Sequence, residues 1–365
     1  MKMIRALAFF GGGTGGHLFP GIAVAERARE RFPGCRAVFF RTRRAVEDKV
    51  FDGRGLETRL LSIRAPGKNP LDWMRYAYDA ARARVEIERV LADGFDAAFG
   101  LGGYAALPGA LAARACGVPV ILLEQNLVPG KVNRMLAPIS DAVACSFEET
   151  AIPGGRKVIT GNPLRKEVLA AAASRRPRTP GKRTVLVVGG SQGARGLNRA
   201  LERALPRLHD LREEIRWIHC AGDADKESMA EAYRTGRFDA EVLGYSPRLP
   251  ELMASSDLVI GRAGGTTLSE IAAVGVPSLL VPFPHHADRH QERNAGILAR
   301  AGAAILVEES ALDPERLRAC LEEVLFSEEK LDAMSQRARA LARPGAADAV
   351  IDLALRLEPA GGRSR

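Results

Sequence analysis

Short apolar runs alternate with longer amphipathic stretches along the whole chain, the pattern of parallel β-sheet wrapped by helices. In the first half the runs Ile4–Phe10, Ala37–Arg41, Ala97–Phe99, Val120–Leu123 and Ala142–Cys145 predict strands. In the second half Thr184–Val188, Ile215–His219, Leu258–Ile260, Ser278–Val281 and Ala304–Leu306 do the same. Leu18–Arg31 carries a helical pattern, as does Ala346–Leu357 behind Arg343-Pro344-Gly345, and Glu358–Arg365 reads as a disordered tail.

Gly161-Asn162-Pro163 and the Ala-, Arg- and Pro-rich stretch after it separate the halves. The division is expected at Pro163, giving domains 1–163 and 164–343, with an exposed loop near residues 174–182. The halves resemble each other. Asp96-Ala-Ala-Phe-Gly100 with Gly102-Gly103 parallels Asp257-Leu-Val-Ile-Gly261 with Gly264-Gly265. Gly117-Val118-Pro119 parallels Gly275-Val276-Pro277, and the glycine loop after the first strand has a partner in Gly189–Arg195. Three paired landmarks in one order predict two doubly wound domains, whose ligand loops sit at the carboxyl ends of the strands and would line one cleft.

Composition narrows the class. A chain of 365 residues exceeds one ordinary core, and 46% hydrophobic with 27% charged residues is the balance of a soluble protein. The five cysteines are scattered, without a C-x-x-C pair, which argues for reduced thiols in a cytoplasmic protein and against a disulfide framework or zinc site. No segment reaches the roughly 18–20 apolar residues of a membrane span, and nothing reads as a signal peptide. A net charge of +9 suits phosphorylated ligands or an anionic membrane face. Nucleic acid is not expected, because the arginines are spread out and no binding motif gathers them.

The candidate chemistry lies in the loops. Five glycines in Gly11–Gly16 join the first strand to the first helix, a way to bring bare backbone N–H groups to an anion. The loop has no Lys and no proper G-x-G-x-x-G, so neither a Walker A nor a dinucleotide fold is implied. His17 stands at the helix start, within reach of whatever the loop holds. Arg262-Ala263-Gly264-Gly265-Thr266-Thr267-Leu268-Ser269-Glu270 repeats the strand–glycine–helix plan. Its helix start can bind a diphosphate, and Glu270 one turn on can accept both ribose hydroxyls. Gly189–Arg195 offers a second anion nest through Ser191 and Gln192, with Arg195 read as a surface cation.

Glu124-Gln125-Asn126 gives three polar groups suited to sugar hydroxyls and amides, and His290-Gln291 is the matching cluster of the second half. His285, His286 and His290 invite a metal reading, which Pro282 and Pro284 weaken by making the stretch a loop. Asp223-Ala224-Asp225 has the D-x-D spacing of metal-bridged sugar transferases but reads as a solvated loop, so no metal is expected. Leu71, Trp73, Met74 and Tyr76, flanked by Lys68, Arg75, Arg82 and Arg84, match a helix lying on an anionic membrane.

These motifs occur together in one family. Gly12–Pro20, Gly102-Gly103-Tyr104, Glu124-Gln125-Asn126, Gly161–Arg165, Gly189–Arg195, Arg262–Glu270 and His290-Gln291 resemble, in order and spacing, the MurG family of bacterial N-acetylglucosaminyltransferases. The resemblance implies a GT-B fold, two Rossmann-like domains facing a cleft, with the C-terminal helix (about 344–365) returning to the first. It implies metal-independent, inverting transfer of GlcNAc from UDP-GlcNAc to the 4-hydroxyl of MurNAc in lipid I, with no cofactor. By position, Thr14, Gly15, Gly16, Asn126, Arg165, Ser191, Ser246, Gly265, Thr266, Thr267, Leu268, Ser269, Glu270, His290 and Gln291 would contact the donor. Gly12, Gly13, Gly102 and Gly103 would hold the acceptor diphosphate. His17 is the first candidate for the base, since an imidazole titrates near neutrality, and Glu124 the second. The implied setting is the cytoplasmic face of the inner membrane, bound peripherally, with cell-wall synthesis or division proteins as further partners.

Two residues depart from the family pattern: Leu123 stands where many relatives carry His, and Pro284 replaces a polar residue of some members. Neither removes a donor contact. The rival readings are a UDP-GlcNAc 2-epimerase or another glycolipid-forming transferase on the same fold, and a non-catalytic nucleotide-sugar-binding subunit.

Overall fold

The structure, a computed structural model, describes residues 3–175, 181–189, 194–285 and 288–357. Ser191, Gln192, His286, most of the expected 174–182 loop and the expected tail after Leu357 lie outside these residues. The chain divides into two units, one running through Arg165 and resuming at Arg343, the other spanning Lys166–Ala342. The division therefore falls two residues beyond Pro163, and Leu164, Arg165 and Arg343 belong to the first unit.

The first unit runs β1 (Ala6–Phe10), α1 (Gly15–Arg31), β2 (Arg36–Arg41), α2 (Ala45–Phe51), β3 (Glu57–Leu60), α3 (Pro70–Leu91), β4 (Ala97–Gly100), α4 (Ala106–Ala115), β5 (Val120–Glu124), α5 (Lys131–Leu136), β6 (Ala142–Cys145) and β7 (Lys157–Ile159). The second runs α6 (Lys166–Ser174), β8 (Arg183–Val188), α7 (Arg195–Ala204), β9 (Ile215–Cys220), α8 (Lys226–Thr235), β10 (Asp239–Leu243), α9 (Leu249–Ala254), β11 (Leu258–Gly261), α10 (Gly265–Val274), β12 (Ser278–Leu280), α11 (His290–Arg300), β13 (Ala304–Leu306), α12 (Pro314–Val324) and α13 (Glu328–Ala340). The last helix, α14 (Ala346–Arg356), packs on α1 in the first unit. Val350, Ile351 and Ala354 join the core beside Leu18 and Ile22. Arg27 and Arg31 clasp Asp348 and Asp352 at 3.0 and 2.6 Å.

All strand pairs are parallel. The first sheet has the order β3-β2-β1-β4-β5-β6-β7, the second β10-β9-β8-β11-β12-β13. Parallel strands must be covered on both faces, which their near-continuous apolar runs allow. The paired phenylalanines show how one run serves two faces. Phe9 stacks between Phe39 and Phe99 on one side, at 4.4 and 5.0 Å between ring centroids. Phe10 meets Phe40 on the other at 5.2 Å.

Strand for strand, the first six positions of one sheet match the other, so the sequence landmarks occupy equivalent places. The glycine loop follows β1 as Gly189 follows β8, and Gly102-Gly103 follows β4 as Gly264-Gly265 follows β11. Three strands escaped the sequence pattern: β3, β7 and β10. Each is an edge strand whose residues are mostly half-buried or exposed, so no apolar run announces it.

Candidate active site

In the first unit the loops after β1 and β4 touch backbone to backbone. Gly11 has φ of 111°, and a Cβ there would lie 2.3 Å from the Gly102 carbonyl oxygen. A Cβ on Gly103 would lie 2.9 Å from the Gly12 oxygen, and Gly12 N–H donates to Gly102 O at 3.4 Å. Only glycine permits this approach. It brings Gly12, Gly13, Gly102 and Gly103 together at the carboxyl edge of the sheet.

The His17 ring lies against Gly102, 3.2 Å from where its Cβ would be, and its Nδ1 is 3.1 Å from Thr14 Oγ1. Gly15 is buried under Phe19 and Gly16 is exposed. Arg165 stacks its guanidinium on the Phe19 ring, 3.9 Å from the centroid, and is buried.

One residue that the sequence reading missed holds the glycine loop. Glu47, fully buried on α2, accepts from Gly13 N–H at 2.8 Å and from the Thr42 hydroxyl at 3.0 Å. Burial pushes its carboxyl up, and these two bonds pull it back. Arg44 donates to Gly13 O at 3.4 Å and lies over the Tyr104 ring. In sequence Glu47 is an ordinary acidic residue of a short helix, 34 positions from its partner.

The Glu124-Gln125-Asn126 cluster is rearranged relative to expectation. Glu124 is 2% exposed. One oxygen accepts from Asn126 N–H at 2.9 Å and its amide at 3.3 Å; the other accepts from Gly130 N–H and Asn133 Nδ2, both at 2.9 Å. Its carboxylate is taken up by four donors inside the fold. It shapes the loop that presents Asn126. Gln125 is buried too.

The α3 surface needs one correction. Leu71, Trp73 and Met74 are 52, 54 and 69% exposed, with Lys68 and Arg75 exposed beside them. Tyr76 instead points inward, 6% exposed, and its hydroxyl donates to Tyr104 O at 2.8 Å. Tyr78, 62% exposed, is the tyrosine on the outer face.

In the second unit the β11 exit leads into α10. Gly265, Thr266 and Glu270 are buried there. Leu268 packs inward at 1% exposure, which leaves only its backbone for a ligand, and the Ser269 hydroxyl donates to Gly265 O at 2.9 Å. Thr267 is half-buried. Gln291 accepts through Oε1 from Ala263 N–H at 3.3 Å and Phe283 N–H at 3.0 Å, so it ties the β11 and β12 loops. Asn294 adds a bond to Ala263 O, and His290 pairs with Asp288 at 2.8 Å. Arg262 donates to Val281 O and Pro282 O at 3.0 and 3.2 Å and pairs with Glu309. Ser246 Oγ accepts from Arg248 N–H at 3.3 Å in the loop after β10. Among the described residues no group of three or more His, Cys, Asp or Glu is placed to hold a metal ion.

Both halves match one family. The glycosyltransferase family 28 N-terminal domain matches residues 7–145 and its C-terminal domain residues 184–350. The chain belongs to glycosyltransferase family 28. Within family 28 it is 39% identical over 345 residues, 94% of its length and 96% of the relative's, to a protein of Ectopseudomonas mendocina. That relative is named UDP-N-acetylglucosamine–N-acetylmuramyl-(pentapeptide) pyrophosphoryl-undecaprenol N-acetylglucosamine transferase. Among solved structures, Acinetobacter baumannii MurG superposes with a TM-score of 0.77 and 29% identity, covering 97% of this chain and all of that one. The UDP-GlcNAc 2-epimerase of Neisseria meningitidis, solved with UDP-GlcNAc, shares the fold alone: TM-score 0.67 and 15% identity over 97% of this chain and 100% of that one.

The Glu124 geometry has a direct test. Glu124→Gln turns one acceptor oxygen into an NH2 group facing donors, at Gly130 and Asn133 or at Asn126. Such a clash costs about 1–3 kcal/mol of stability, and chemical denaturation of the variant is expected to show a loss of that size.

Proposed function

We propose that this chain transfers GlcNAc from UDP-GlcNAc to the 4-hydroxyl of the MurNAc of lipid I, with inversion at the anomeric carbon, to give lipid II. The observation that carries the reading is the length of the family match. The match at 39% identity covers 94% of the chain, so it spans both units, the loops of the first and α10 of the second included. A binding subunit or an epimerase has no need of an acceptor site. Three solved UDP-GlcNAc 2-epimerases, one of them named as a putative one, share the fold at 15–17% identity.

In this reading the start of α10 and the segment ending at Arg195 receive the UDP diphosphate, through helix-terminal N–H groups and hydroxyls. Glu270 takes the ribose hydroxyls and the loop at Ser246 the uracil. Gly12, Gly13, Gly102 and Gly103 receive the acceptor diphosphate, and Asn126 a donor-sugar group. His17 is the base. With its proton on Nδ1 and donated to Thr14, the imidazole carries a lone pair on Nε2. Nε2 takes the proton of the 4-hydroxyl, that oxygen bonds to the anomeric carbon from the face opposite UDP, and the bond to UDP breaks with its electrons on the diphosphate. Glycosyl transfer by this route leaves negative charge only where the donor loops gather N–H groups.

Among the described residues no helix is long and apolar enough to cross a membrane. The acceptor carries a polyprenyl tail, so the chain works at the cytoplasmic membrane face, held by Leu71, Trp73, Met74 and Tyr78 with Lys68 and Arg75 around them. Proteins of cell-wall synthesis or division are its further partners in this setting.

Radiolabelled GlcNAc transfer to a lipid I analogue tests the activity. Transfer is expected; release of an epimerised sugar nucleotide, or binding without turnover, would refute it. In the same assay His17→Ala should lower kcat by about 10²–10⁴-fold, the range for a lost general base, with UDP affinity kept. A change confined to the acceptor KM would make His17 a diphosphate ligand. The membrane role predicts that Trp73→Ser combined with Met74→Ser weakens binding to anionic vesicles, measured by sedimentation, while turnover of a short-chain soluble acceptor stays near wild type. Equal vesicle binding would place the contact elsewhere.

A further inference from the structure

The D-x-D-spaced pair, Asp223 and Asp225, lies in the loop between β9 and α8. In the sheet, β9 stands between β10 and β8, so its exit loop lies between the exits of those two strands. The two carboxylates divide along that line. Asp223 reaches the β10 side, where Oδ1 accepts from Tyr245 N–H at 3.2 Å. A Cβ on Gly244 would come within 2.1 Å of the same oxygen, so the loop is pressed against the carboxylate.

Asp225 reaches the β8 side. Its Oδ2 accepts from Asn198 Nδ2 at 2.8 Å on the first turn of α7, and its Oδ1 lies 3.9 Å from Nε of Arg195. Asn198, 2% exposed, also donates to Ala221 O at 3.0 Å, and its Oδ1 meets His219 Nε2 at 3.1 Å. The His219 Nδ1 in turn lies 3.3 Å from the Tyr233 hydroxyl. Burial lowers the His219 imidazole to about 4, so it is neutral and has one N–H to give. A single proton arrangement satisfies the chain: Tyr233 O–H donates to Nδ1, Nε2–H to Asn198 Oδ1, and Asn198 Nδ2 to Ala221 O and Asp225. Both hydrogens of the Asn198 amide are then in use, which fixes the start of α7 to the β9 exit.

We propose that Asp223 and Asp225 are positioning residues of the nucleotide site, Asp223 setting the loop that reads the base and Asp225, through Asn198, setting the start of α7 beside the diphosphate. The proposal rests on the donor-site reading above, in which the Ser246 loop faces uracil and the start of α7 faces the diphosphate. It gives the D-x-D spacing a task done by hydrogen bonds to protein in place of a bridging metal.

Binding of UDP and of ADP to the full-length protein, measured by calorimetry, separates the two roles. Asp223→Ala is expected to weaken UDP about tenfold, the size of one lost charge-assisted hydrogen bond, and to leave ADP nearly unchanged, so base selectivity collapses. Asp223→Asn keeps an acceptor oxygen for Tyr245 N–H and is expected to restore most of the selectivity. Asp225→Ala and Asn198→Leu are expected to weaken UDP and ADP equally, keeping the ratio. Thermal melting of each variant confirms that it is folded. Unchanged UDP affinity and ratio in folded Asp223→Ala and Asp225→Ala would overturn the proposal. So would wild-type UDP binding that falls with EDTA, returns with Mn²⁺ and is lost equally in Asp223→Asn and Asp223→Ala, because the pair would then be metal ligands. Glu270→Ala separates the two levels. If it weakens UDP while the aspartate variants do not, the proposal fails and the donor site stands; if it has no effect, the donor-site reading fails and the proposal with it.

Discussion

A backbone amide that leaves a parallel strand at its carboxyl end has lost its ladder partner, and at a ligand site water is to be kept out as well. In this chain acidic side chains take several of those amides. Glu47 accepts from Gly13, Glu124 from Asn126 and Gly130, and Asp223 from Tyr245. The bonds to the buried Glu47 and Glu124 are charge-assisted, worth about 1.5–3 kcal/mol each, which offsets the cost of burying those two carboxylates. Raised pKa values at those two residues record what remains of that cost. The loops so held are the ones that the proposed chemistry uses.

The same device serves two related sheets. Their matching strand orders put glycine loops, helix starts and polar clusters at equivalent exits. The holding residues are not equivalent. At the exit of β5 the last strand residue, Glu124, takes the loop amides, whereas at the equivalent exit of β12 Gln291 and Arg262 hold the loop. The repeat therefore preserves where a ligand loop stands, and each unit fixes its loops with different side chains. That difference suits a protein whose halves are proposed to bind different phosphorylated molecules.

Much of the fold was legible because parallel strands in a sheet interior must be apolar on both faces. Ile4–Phe10 and Leu258–Ile260 could be little else. The edge strands β3, β7 and β10 face water on one side, and their polar residues concealed them. Candidate loop residues were legible where backbone geometry demanded a residue type, as at Gly11 and Gly103. They were illegible where a side chain acts across the fold. Glu47 has no local signature, and nothing in the sequence reveals that Asn133 and Gly130 surround Glu124. Tyr76 and Tyr78 differ by two positions on a helix, about 200° of rotation, so one faces Tyr104 and the other solvent. Asp223-Ala224-Asp225 was rightly read as a loop, but its spacing gave no hint that the two carboxylates reach different neighbours.

Hydrogen exchange at individual amides in the ligand-free protein tests most directly whether these loops are set before any substrate arrives. The bonds from Glu47, Glu124 and Asp223 predict that the amides of Gly13, Asn126, Gly130 and Tyr245 exchange markedly more slowly than in an unstructured chain, and that Glu47→Ala releases Gly13 alone. Exchange of all four at the unstructured rate until a UDP-sugar is added would contradict the account, because the loops would then be ordered by ligand and not by their carboxylates.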